Sequence, residues 1–296
     1  MRRPRRRSVP QPPPRLRARW AERGFSAADL LNLWPPPARG PRPETLRYGA
    51  APRQVLDVYR PRHATRAPLV VFFYGGSWQN GSRDIYAFLG RAFAAQGIVT
   101  AVPDYTLYPE ARFPVFLEDA ARATAFAREH AASWGADPQR LVLMGHSAGA
   151  YIAAMLACDP QWLARAGLDA HRDVAALIGL AGPYDFLPIE SGVLQTIFGG
   201  PERAETQPIN FVTGREAPAL LATAQRDMLV TPGNTLRFAA RIHELGGRVE
   251  ERAYGRVNHF TLIGAFAPGL RLLAPVLRDV DDFIWRVTGR SAARRS

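Results

Sequence analysis

A four-residue apolar run, Leu141–Met144, leads without a break into Gly145-His146-Ser147-Ala148-Gly149, and the Ala-rich stretch Ala150–Ala157 follows at once. A strand that turns directly into a helix strains the backbone at Ser147, and side chains on the neighbouring residues would collide there. The two glycines therefore have a physical job. The turn leaves the Ser147 hydroxyl above a sheet at a helix N-terminus, where developing negative charge is favoured.

The rest of the pattern supplies such a sheet. Gln54–Tyr59, Leu69–Tyr74, Ile98–Val102, Val174–Leu180, Ala219–Ala224 and Arg248–Tyr254 read as further strands. Helical periodicity is predicted over Ile85–Gln96, Val115–Trp134 (stopped by Gly135), Asn234–Leu245 and Leu270–Val287. Continuous apolar strands alternating with helices argue for an α/β fold, with a mostly parallel central sheet of about eight strands flanked by helices. In such sheets ligands bind outside the carboxyl ends of the strands.

Charge separates the chain into parts. The formal net charge is +12, yet residues 1–23 hold nine Arg and one Glu, and residues 286–296 hold four Arg and no acid. Between them basic and acidic residues balance. The folded part is thus expected to be neutral, with a disordered Arg- and Pro-rich tail over residues 1–23 and a basic tail over 288–296. Residues 24–45, with Phe25 and Trp34, are a candidate helical cap, and residues 46–287 are expected to form the α/β domain. No apolar stretch of about 7–15 residues follows the first arginines, so an export signal is not expected and a cytoplasmic location is. No segment approaches the roughly 18 apolar residues of a membrane span. A single cysteine, Cys158, excludes an internal disulfide framework and a cysteine-rich metal site. No specific nucleic-acid partner, metal or cofactor is expected, and the oligomeric state is left open.

A serine hydroxyl needs a base, and the base an orienting acid. Of six histidines, His63, His130, His171 and His243 fall in loop, helical or linker sequence, and His146 flanks Ser147 with its side chain expected to point away from it. His259 lies beyond the last strand, where a loop reaches the turn. Two aspartates end strands between Ser147 and His259. Asp227 is one helix–strand unit before the His259 loop and is favoured as the acid. Asp185 is expected to cap the next helix. Backbone N–H groups of Ala148, Gly76 and Ser77 are the candidate oxyanion donors, the last two from Tyr74-Gly75-Gly76-Ser77-Trp78 at the end of a strand. Trp78, Tyr184 and Phe260 adjoin these positions and are candidates to line a substrate pocket, as is the 191–218 excursion.

Taken together, Tyr74–Trp78, Asp104-Tyr105-Thr106-Leu107-Tyr108-Pro109-Glu110, the Ser147 motif, Ala181-Gly182-Pro183-Tyr184-Asp185, Asp227 and His259 resemble the α/β-hydrolase superfamily over about residues 45–285, near its hormone-sensitive-lipase-like and kynurenine-formamidase-like branches. Tyr74 stands where the family usually has histidine, and Thr106 where it has arginine. The resemblance implies an α/β-hydrolase fold, a structural role for Asp119 in a sheet-flanking helix, and a serine carboxylesterase acting on a small-molecule ester through an acyl-enzyme. The alternatives it leaves are an aryl formamidase and a catalytically silent binding protein.

Because the charge is segregated from a neutral core, deleting residues 1–15 is expected to leave kcat and KM for a neutral ester within about twofold. Steady-state kinetics of the truncated and full chains check this. A large loss with folding intact would place the tail in the active site.

Overall fold

The computed structural model describes residues 42–289. The expected tail over residues 1–23, most of the candidate cap and most of the C-terminal tail lie outside the described residues. The last part of the cap range is not helical: Glu44–Arg47 forms strand β1.

Eight strands build one sheet: β1, β2 (Val55–Tyr59), β3 (Ala67–Phe73), β4 (Val99–Pro103), β5 (Ala136–His146), β6 (Ala176–Leu180), β7 (Ala219–Ala224) and β8 (Val249–Tyr254). Their spatial order is β1-β2-β4-β3-β5-β6-β7-β8. β1, β2 and β4 pair antiparallel, and every pair from β4 to β8 is parallel. Side-chain pattern follows position in the sheet. β3 (Ala-Pro-Leu-Val-Val-Phe-Phe), β6 and β7 are buried along their whole length, as strands covered on both faces must be. The edge strands β1 (Glu-Thr-Leu-Arg) and β8 (Val-Glu-Glu-Arg-Ala-Tyr) carry charge, which blunts an open edge.

Helices α1 (Ala87–Ala95), α2 (Val115–His130), α3 (Ala148–Cys158), α4 (Pro160–Arg165), α5 (Ala170–Asp173), α6 (Gly192–Phe198), α7 (Pro232–Glu244), α8 (His259–Gly264) and α9 (Val276–Thr288) cover the two faces. Every residue of α3 is buried, so its sequence is apolar all round. Two long predictions shorten. The helix predicted from Val115 ends at His130 before a single 3₁₀ turn and Gly135 in the left-handed region. The one predicted from Leu270 begins only at Val276, because Pro275 stands at its cap. Among the described residues no helix is long and apolar enough to cross a membrane.

Chain order reverses direction across the sheet between β3 and β5, whose ends are in register at Phe73 and Gly145. This switch point is where an α/β sheet opens a crevice at its carboxyl ends. The loop after β4 is anchored beside it by charge. The Asp104 carboxylate accepts from the Tyr74 hydroxyl (2.8 Å), from the Arg83 N–H (2.7 Å) and from the Arg83 guanidinium, which also binds Asp57 at 3.0 Å. Two residues on, the Thr106 N–H and hydroxyl donate to Asp119 on α2 at 3.0 and 2.6 Å, and Gln54 donates to its other oxygen. Asp119 therefore ties the loop to the flanking helix.

Asp104→Ala removes one side of this half-buried network, leaving the Arg83 guanidinium with Asp57 alone and the Tyr74 hydroxyl without its acceptor. Stability is expected to fall by about 3 kcal/mol, measured by urea unfolding. A change below about 0.5 kcal/mol would show that the network contributes nothing net.

Candidate active site

Ser147 sits between β5 and α3 with φ 55° and ψ −125°, a conformation L-residues avoid. It is held there from three sides. Its N–H donates to the Leu180 carbonyl at the end of β6 (2.9 Å), and its carbonyl accepts from the Ala150 and Tyr151 N–H groups to start the helix. The flanking glycines are compelled by contact: a Cβ at Gly145 would lie 2.1 Å from the Gly149 carbonyl oxygen, and one at Gly149 would lie 1.9 Å from that of Phe73. The serine is half-buried, and its hydroxyl holds no hydrogen bond among the described residues.

The structure brings Asp227 and His259 together. β7 and β8 pair in register to Ala224 and Tyr254, so the loops that follow them are neighbours. Asp227 Oδ2 lies 2.7 Å from His259 Nδ1, with both side chains buried. The other oxygen of Asp227 accepts from the Leu229 and Val230 N–H groups, both at 2.9 Å. An ionised carboxylate only accepts, so Nδ1 carries the hydrogen and Nε2 is left as the basic nitrogen. His259 is the first residue of α8. Asn258 caps that helix, accepting from Phe260 and Thr261 while the Thr261 hydroxyl accepts from the Asn258 N–H.

The other aspartate is elsewhere. Asp185 caps no helix, contrary to expectation: its carboxylate pairs with Arg237 on α7 at the surface, while the N–H groups of Tyr184 and Asp185 both donate to Asn234. It makes no contact with His259.

Beyond β3, Gly75 packs against the serine so closely that a Cβ there would lie 2.8 Å from Ser147 Cβ. Gly76, Ser77 and Trp78 then follow with φ of 139°, 52° and 58°. The Gly76 carbonyl closes the turn by accepting from Gln79 and Asn80. The N–H groups of Gly76 and Ser77 have no acceptor among the described residues, and that of Ala148 lies in the first turn of α3, where helical partners are lacking. Tyr74 anchors this turn. Its hydroxyl donates to Asp104 and accepts from Arg53 at 2.7 Å, and its ring stacks between Tyr86 and Tyr105. Burial pushes its phenol well up, so the donor is kept.

The three pocket candidates part company. Trp78 is buried, edge-on to Tyr151 and Phe198 in an aromatic cluster with Phe116 and Phe186. Helix α6, from the 191–218 excursion, supplies Phe198. Phe260 is 66% exposed and stands edge-on to the His259 ring at 5.4 Å. Tyr184 corrects the expectation: it is fully buried, stacked on Phe238 with its hydroxyl against Gly179 and Gly182, and belongs to the core. Sequence reasoning missed Met228 and Leu229, 94% and 64% exposed beside Asp227. It also missed His146, whose ring reaches the His259 main chain at 3.0 Å. Among the described residues no group of His, Cys, Asp and Glu is arranged to hold a metal.

Comparison with known proteins places this arrangement. Residues 56–242 match the BD-FAE family. Esterase LipC of Mycobacterium tuberculosis is 32% identical over 250 residues, covering 73% of this chain and 62% of that protein. A probable isoprenylcysteine alpha-carbonyl methylesterase of Arabidopsis thaliana is 28% identical over 239 residues, covering 73% and 50%. The chain thus spans 50% to 62% of the length of these two curated relatives. Esterase 2 of Thermogutta terrifontis, solved phosphoramylated by tabun, superposes with a TM-score of 0.71 at 25% identity over 87% of this chain and 98% of that one. A truncated carbohydrate esterase from gut microbiota shares the fold at 18% identity, with a TM-score of 0.70 over 85% of this chain and all of that one. The chain belongs to the BD-FAE family and has the α/β-hydrolase fold of these esterases.

Proposed function

We propose that the chain is a serine carboxylesterase that hydrolyses small carboxylic esters through an acyl-enzyme, with Ser147 as nucleophile, His259 as base and Asp227 as the orienting acid. The observation that carries this reading is the buried Asp227–His259 pair, which fixes one imidazole tautomer, with the His259 main chain held by His146, the neighbour of a strained serine. The Ser147 hydroxyl attacks the ester carbonyl carbon as its proton passes to His259 Nε2. The N–H groups of Ala148, Gly76 and Ser77 receive the negative oxygen of the tetrahedral intermediate. Collapse breaks the bond to the alcohol, which leaves with the proton from Nε2. Water then attacks the acyl-enzyme, giving a proton to the same nitrogen, and collapse breaks the bond to the Ser147 oxygen, which takes that proton back as the carboxylic acid departs.

The names of the relatives support an ester as substrate. The rim supports an apolar one: Met228, Leu229 and Phe260 expose their side chains beside the acid and the base, and an apolar alcohol or acyl group would cover them.

Hydrolysis of a p-nitrophenyl ester series, with N-formylkynurenine as competitor, tests the reading. Highest kcat/KM on a short-chain ester and complete loss in Ser147→Ala are expected. A higher kcat/KM on the formamide would make the protein an amidase, and failure to label with a fluorophosphonate would make it no serine hydrolase at all. The two aspartates are separated by isosteric amides. Asp227→Asn is expected to fold normally and lose on the order of 10⁴-fold in kcat, because the amide stabilises the wrong tautomer. Asp185→Asn breaks only a surface pair with Arg237 and is expected to keep kcat within about twofold and stability within about 1 kcal/mol. The reverse result would move the acid to β6.

A further inference from the structure

We propose that His146 is a positioning residue for this hydrolysis: its ring donates a hydrogen bond to the main-chain carbonyl of His259 and so holds the loop that carries the base. The inference rests on His259 being that base. His146 Nε2 lies 3.0 Å from the His259 carbonyl oxygen. A carbonyl only accepts, so Nε2 carries the hydrogen and Nδ1 the lone pair. Nδ1 is buried without a partner and faces Gly75, where a Cβ would lie 3.2 Å from it.

Two consequences follow for the chemistry. First, the base is held at two points from two strands. Asp227, beyond β7, grips its ring, and His146, at the end of β5 and one residue before Ser147, grips its backbone. Nucleophile and base are thereby linked by a path of adjacent residues, and a displacement of about 1 Å between such groups costs on the order of 10²-fold in rate. Second, the donor is uncharged. Burial, and then the neighbouring His259, push the His146 pKa from its ordinary 6.5 down to about 3, so the ring is neutral across the working range. The two rings are 4.7 Å apart. When His259 takes the serine proton it becomes positive, and an arginine or lysine donor at that distance would oppose the step. A neutral imidazole supplies the hydrogen bond without the repulsion.

Three substitutions separate positioning from packing. The terminal amide of His146→Gln can donate from about the place of Nε2. His146→Asn donates from too short a side chain, and His146→Leu fills the space with no donor. On p-nitrophenyl acetate, His146→Leu and His146→Asn are expected to lose roughly 10- to 100-fold in kcat with KM within about threefold, while His146→Gln stays within about fivefold of the parent. A packing role predicts the opposite order, since buried apolar Leu would be tolerated better than Gln. The proposal is overturned if His146→Leu keeps kcat within about threefold, or if His146→Gln is as impaired as His146→Leu. If His146→Leu does not fold, the Gln and Asn variants decide by the same criterion. A parent protein inactive on every ester rejects the catalytic reading itself, before any His146 variant is compared.

Discussion

At Gly149 the first turn of α3 comes so close to the end of β3 that only a hydrogen fits between its Cα and the Phe73 carbonyl. That contact sets the depth at which the helix enters the sheet. With the helix at this depth, the residue before it has no room for ordinary backbone geometry, and Ser147 takes φ 55°. The strain is balanced by ordered hydrogen bonds rather than by the serine side chain: Leu180 of β6 receives its N–H, and α3 begins on its carbonyl. The same approach brings the Gly75–Trp78 turn beside Ser147. Ser147 and the Gly75–Trp78 turn therefore come from the two strands that pair at the switch point, β5 and β3.

Buried carboxylates in this fold are satisfied in two ways, by arginine or by neutral donors. Asp57, Asp104, Asp119, Asp137 and Asp173 are buried, and each touches an arginine. Asp159, Glu216 and Asp227 are buried too but take neutral donors: Gln161 for Asp159, Thr213 and Gly214 for Glu216, and two backbone N–H groups beside His259 for Asp227. An arginine in that place would neutralise the carboxylate and remove its pull on a developing imidazolium. Neutral N–H donors satisfy one oxygen of Asp227 and leave the other to the histidine.

Much of this was legible in the residues because interior strands announce themselves. β3, β6 and β7 are buried on both faces and read as unbroken apolar runs, and the Gly-x-Ser-x-Gly turn fixes what lies between β5 and α3. β1 escaped notice because an edge strand such as Glu44–Arg47 has no apolar face to display. Short helices were missed for a related reason: α4 and α5, six and four residues long, are set by Asp159 and Asp169 caps and are too brief for periodicity. The side chains around the site divide by the distance of their partners. The loops carrying Asp227 and His259 could be paired from chain order, since consecutive parallel strands bring them together. Asp185 could not be placed, because its partner Arg237 lies 52 residues away on a helix. Tyr184 looked like a pocket residue by adjacency alone, whereas the space vacated by Gly179 and Gly182 draws its ring into the core.

His146 shows where pattern reading ends for a physical reason. Alternation along β5 says only that its side chain points to the opposite side from Ser147, and a histidine there is as well explained by burial as by function. What gives it a task is a carbonyl 113 residues later in the chain, oriented by the cap of α8. Backbone carbonyls leave no trace in composition or periodicity, so a side chain that binds one over such a span is visible only in three dimensions. The main-chain contact also differs in kind from the Asp227 contact. Asp227 selects a tautomer and can be read from residue types, whereas a grip on the backbone selects a position, and any residue could occupy the carbonyl end of it.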